Sequence, residues 1–105
     1  MRVLLDECLP RRLGRELVGD LVSSVSERGW SGVKNGELLV LAAGQFDVFI
    51  TIDRLLVVQQ TIPPNLAVIT LQASSNRLAA LRPLVPKLRE ALEAVRPGQL
   101  LRLSV

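Results

Sequence analysis

The chain contains no histidine and a single cysteine, Cys8. The first absence excludes Ser-His-Asp and Cys-His catalysis, and one thiol without histidine falls short of the usual zinc ligand sets. A lone cysteine also excludes an intramolecular disulfide. Acid–base work must therefore fall to Asp, Glu, Lys or a metal-bound water. Tyrosine is absent, and Trp30, Phe46 and Phe49 are the only aromatics, so leucine and valine must supply most of the core. Apolar runs stop at about six residues, far below the ~20 that a membrane helix needs. An acid already stands at position 6, too early for a secretory apolar segment, and the expected compartment is the cytoplasm. Lysine is scarce too: of the 13 basic residues only Lys34 and Lys87 are lysine, the rest arginine.

What is present is 105 residues, 49% of them hydrophobic, with a net charge of +3 and a pI near 10.0. That length predicts one domain spanning 1–105. Guanidinium forks match phosphate oxygens, so the arginine excess suits a polyanionic partner, although a charge of this size also serves solubility alone. The basic residues are scattered rather than gathered in a block.

Alternating elements emerge along the chain. Arg2–Leu5 reads as a short strand. A helix is predicted from Cys8-Leu9-Pro10 to about Val18, with Leu9, Leu13 and Leu17 on one face. A second strand is predicted at Leu21–Val25, a loop at Gly29–Gly36 and a second helix from Glu37 to about Gly44. Phe46–Ile52 has the continuous apolar character of a strand buried on both faces. Arg54–Thr61 reads as a short helix stopped by Pro63-Pro64. Leu66–Leu71 is a fourth strand, followed by a helix from about Asn76 to Val95, restarted at Pro83 and Pro86. Pro97-Gly98 ends that helix, and Leu100–Val105 forms an edge strand. The alternation implies an α/β domain of three layers, α/β/α, with a largely parallel sheet.

In an open α/β sheet, ligands bind outside the carboxyl ends of the strands. Asp6 follows the first strand and Asp53 the third, whereas Asp20 and Asp47 precede strands and belong to the opposite edge. Carboxylates gathered at the carboxyl edge can hold Mg²⁺ or Mn²⁺; capping the next helix is the other role open to each. Glu37 is a third candidate, and it also suits the positive end of its helix. Around these stand Glu7 as a substitute ligand, Lys34 before a helix N-terminus, and Arg54 beside the acids. Arg11 and Arg12 on the first helix would contact substrate. Asn76 would cap its helix or meet the water shell of a metal. Ser31-Gly-Val-Lys34 and Gly29-Trp-Ser-Gly32 match short motifs of penicillin-recognising enzymes and of RNA-binding loops. Neither stretch has the structural context that its motif requires.

The stretches Val3–Pro10, Gly29–Leu38, Val48–Arg54 and Ser74–Leu78 together resemble the small PIN-like domains often paired with antitoxin genes. The resemblance covers nearly the whole chain. It implies a PIN-like fold and a metal-dependent endoribonuclease, a hydrolase acting on single-stranded or structured RNA. Asp6 and Asp53 would be its Mg²⁺ or Mn²⁺ ligands, and Glu37 a ligand or supporting acid. It also implies the toxin of a toxin–antitoxin pair, an antitoxin protein as partner and a homodimer. Two positions depart from the pattern: residues 54–60 contain no acid, and Cys8 stands where asparagine is expected. Asn76, Glu7 or water would then complete the metal shell.

Two other readings fit part of the pattern. One is a PIN-like binding module without catalysis, consistent with the missing acid after Asp53. The other is a receiver-like phospho-acceptor, with Asp6-Glu7 as the acid pair, Asp53 as acceptor and Thr70 near the end of the fourth strand, where such domains place a Thr or Ser. The latter requires a lysine after the fifth strand, and none follows Lys87.

Overall fold

Stretches of four to six residues form the strands β1 (Arg2–Leu5), β2 (Leu21–Ser24), β3 (Val48–Thr51), β4 (Ala67–Gln72) and β5 (Leu100–Ser104), the three central ones mostly apolar. The computed structural model describes residues 1–17 and 19–104. Val18 and Val105, the expected ends of the first helix and the last strand, lie outside the described residues. The five strands make one all-parallel sheet in the order β2-β1-β3-β4-β5. Helices α1 (Asn35–Gln45), α2 (Arg54–Gln59), α3 (Leu78–Leu81) and α4 (Val85–Ala94) connect the strands, with 3₁₀ segments at Arg11–Glu16 and Arg82–Leu84.

The period of two along each strand divides the core between the faces. Val3, Leu5, Val48, Ile50, Ala67 and Ile69 meet the 3₁₀ segment and the C-terminal helices through Leu13, Leu84 and Leu88. Leu4, Phe49 and Val68 point the other way, onto Leu38, Leu39 and Ala42 of α1 and Leu56 of α2. Both faces of the sheet are covered, giving three layers. This is why the central strands lack the apolar–polar alternation of a half-exposed sheet.

Element boundaries depart from the sequence expectation in physically readable ways. The first helix is a 3₁₀ segment, with Leu13 N–H bonded to Pro10 O and Leu17 N–H to Gly14 O. Gly14 lies so close to β2 that an added Cβ would stand 3.0 Å from Val22 Cγ1. Leu9, Leu13 and Leu17 are buried as their spacing indicated. Helix α1 starts at Asn35, before Glu37, and α3 starts at Leu78, after Asn76. Pro83 and Pro86 sit in the first turns of their segments, where a missing N–H is harmless. No helix among the described residues is long and apolar enough to cross a membrane.

Candidate active site

The connection after β1 crosses one face to reach β2, and the connection after β3 crosses the other to reach β4. Where such paths diverge, a crevice opens at the carboxyl ends of the two strands. Asp6 and Asp53 stand at the two sides of this switch point.

Asp6 is buried, 8% exposed, and its carboxylate is fully engaged at one end. Oδ1 accepts the Glu7 N–H at 2.8 Å. Oδ2 accepts the Thr51 hydroxyl at 2.6 Å and the Cys8 thiol at 3.5 Å. The Thr51 contact has the length of a charge-assisted bond. Thr51 Oγ1 in turn accepts the Asp53 N–H at 3.0 Å, so one hydroxyl joins the two acidic positions. Asp53 Oδ1 accepts the Leu55 N–H at 2.9 Å and caps α2. Capping, one of the two roles open to both aspartates, is therefore realised by Asp53. Asp6 does not cap the segment that follows it, where Pro10 holds the N-cap position.

A third loop is tied to the same edge. Asn76 Nδ2 donates to Cys8 O at 2.9 Å, across 68 positions of sequence. The expectation that Asn76 caps its helix is corrected, because Arg77 occupies the N-cap and its N–H bonds to Ser75 Oγ. Burial is the main influence pushing the Cys8 thiol above its ordinary pKa, and the neighbouring Asp6 carboxylate adds to it. The Ile52 backbone and Thr51 hydroxyl pull in the opposite direction.

The remaining candidates lie further out. Glu37 is exposed in the first turn of α1, and Lys34 at the N-cap of that helix makes no side-chain cap bond. Glu7 is exposed, and its N–H donates to Asp6. Arg11 reaches Ser26 Oγ at 3.3 Å, while Arg12 and Arg54 are exposed. Asp20 and Asp47 hold the amino edge, near the N-terminal ammonium and Arg2 respectively. Trp30 packs edge-on against Phe46 at 6.0 Å, with the Arg28 guanidinium over both rings.

Thr51 was not anticipated, although a hydroxyl two residues before Asp53 in an otherwise apolar strand was a usable signal. Among the described residues no three His, Cys, Asp or Glu side chains converge as a metal-holding group. The hard-oxygen donors at the edge are Asp6, Asp53 and the Thr51 hydroxyl. Each ionised carboxylate offers about four acceptor sites, so both retain lone pairs beyond their protein bonds. That donor set fits Mg²⁺, which binds through one or two carboxylates and completes its shell with water and phosphate oxygens. Compared with protein-family models, curated proteins and solved structures, the chain matches none.

Proposed function

We propose that the β1/β3 edge hydrolyses phosphodiester bonds of RNA with the help of Mg²⁺ or Mn²⁺. The observation that carries this reading is the pair Asp6 and Asp53 at the switch point, coupled through Thr51. Asp6 and Asp53 would hold the cation. When bound, such an ion supplies a Lewis acid for the phosphoryl oxygen and a nucleophilic water at neutral pH. Thr51 keeps Asp6 in one rotamer, a form of preorganisation that lets a carboxylate act without rearrangement. Arg54, next in sequence to Asp53, would steer the phosphate backbone, with Arg11 and Arg12 as outlying contacts.

The wider reading follows the resemblance to small PIN-like domains: a toxin restrained by an antitoxin protein, acting as a homodimer in the cytoplasm. Exposed Val40, Leu55 and Val58 on α1 and α2 supply apolar surface for such partners. Purified protein incubated with a mixed single-stranded RNA pool in Mn²⁺ is expected to cleave it. Asp6→Asn and Asp53→Asn are expected to be inactive while remaining folded; cleavage retained by both purified variants would overturn the assignment. The exposed position of Glu37 favours a second reading, a binding module without catalysis. Metal-dependent RNA binding with no cleavage in any buffer would select it.

A further inference from the structure

On the sheet face that carries α1 and α2, parallel register sets four side chains in one row. Asp6 follows the Leu5–Ile50 pair and so stands beside Thr51; Thr51 pairs with Thr70, and Thr70 with Arg102. Neighbouring strands lie ~4.8 Å apart, so the row spans about 14 Å. Its acidic end is the candidate active site. Its other end lines a cleft of ≈ 230 Å³ formed by Arg54, Val58, Thr70, Gln72 and Arg102.

The lining is suited to an anion. Among the described residues it includes two guanidinium groups and no carboxylate. Neither arginine is in any of the ion pairs found among the described residues, which join Met1 to Asp20, Arg2 to Asp47 and Arg82 to Glu16. Thr70 is only 3% exposed, and its hydroxyl has no side-chain partner among the described residues. Thr70 is nevertheless one of the residues that line the cleft. Planar guanidinium forks bind phosphate through paired N–H donors, and the Thr70 hydroxyl and Gln72 amide add further donors. Sites for whole small-molecule ligands run to about 300–1,000 Å³. The smaller volume here suits one charged group of a longer ligand.

We infer that this cleft is a phosphate subsite for a single-stranded nucleic acid whose chain also passes the Asp6–Asp53 edge. The inference rests on the function proposed above, and it assigns Arg102, Thr70 and Gln72 a part in holding the strand. A test is fluorescence anisotropy with a single-stranded RNA oligonucleotide in EDTA, which withholds the cation that cleavage requires, across a range of salt. Arg102→Gln is expected to weaken binding about tenfold and reduce the log–log salt slope by about 0.7, the value of one single-strand phosphate contact. Thr70→Val, nearly isosteric, is expected to weaken it ~3-fold with an unchanged thermal midpoint. Asp53→Asn is expected to retain binding.

Unchanged affinity and salt slope in folded Arg102→Gln and Thr70→Val would overturn the subsite. So would saturable binding of inorganic phosphate that depends on Arg102 but is not displaced by the oligonucleotide, since the ligand would then be a free anion. The two proposals fail separately. If both variants lose affinity while the parent never cleaves RNA in Mn²⁺, the subsite stands and hydrolysis falls. If the parent cleaves and Arg102→Gln changes neither affinity nor rate, hydrolysis stands and the subsite falls.

Discussion

Thr51 carries more of the site than its ordinary place in a strand suggests. Its hydroxyl donates to Asp6 Oδ2 in a buried bond and accepts from the Asp53 N–H in a partly buried one. Replacing it with valine keeps the shape and removes both bonds. Bonds to charged groups contribute about 1.5–3 kcal/mol, so Thr51→Val is expected to lower unfolding free energy by that order in urea titration. The sequence shows the hydroxyl but not its partners: threonine in a strand reads first as a β-former, and the bond to Asp6 spans 45 positions. Cys8 offers a second test at this scale. Its raised pKa means little thiolate near neutral pH, so alkylation by iodoacetamide is expected to be slow and to accelerate only in alkaline buffer. Asp6→Asn removes one of the raising influences and is expected to speed alkylation at fixed pH. The sign for stability follows the same linkage: the folded state holds this proton more tightly than the unfolded chain. Its contribution is therefore complete below the ordinary thiol pKa and is lost as pH rises through the raised folded value.

At the scale of elements, Asp53 has a structural duty besides any chemical one. It accepts the Leu55 N–H at the start of α2, a helix of only 6 residues. Asparagine caps about as well as aspartate, whereas alanine forfeits ~1 kcal/mol. Asp53→Asn is thus expected to melt close to the parent and Asp53→Ala measurably lower by calorimetry, making the asparagine variant the cleaner probe of chemistry. The turn before β5 is similarly constrained. Gly98 adopts φ +82°, and an added Cβ would lie 3.1 Å from Pro64 O. Gly98→Ala is expected to destabilise by about 1–2 kcal/mol, read as a lower urea midpoint. The leucine spacing identified the buried face of the first connection correctly. It did not distinguish α from 3₁₀ geometry, because the close approach of Gly14 to Val22 is a tertiary contact.

For the whole molecule, the shared sheet couples the two apolar clusters. Leu88 of α4 packs on one face, while Trp30 and Phe49 belong to the other. Leu88→Ala is expected to cost about 2–5 kcal/mol. Because both clusters rest on the same strands, Trp30 fluorescence and far-UV circular dichroism are expected to report one common, lowered midpoint. Separate transitions would show that the layers unfold independently. The arginine excess also acts at this scale: with net charge +3, the described ion pairs occupy the amino edge and the C-terminal helices rather than the cleft.

The amino-acid sequence by itself determined the α/β class, the parallel character of the sheet and the placement of Asp6 and Asp53 at its carboxyl edge. Those follow from local rules: apolar run length, proline positions, and which end of a strand an acid occupies. Strand order was decided only in three dimensions, and with it the switch point between β1 and β3. The partners of Asp6, the tether from Asn76 to Cys8 and the row from Asp6 to Arg102 depend on contacts between residues distant in sequence. No local pattern encodes such register, because parallel pairing is fixed by how the helices pack the sheet rather than by a turn joining neighbouring strands.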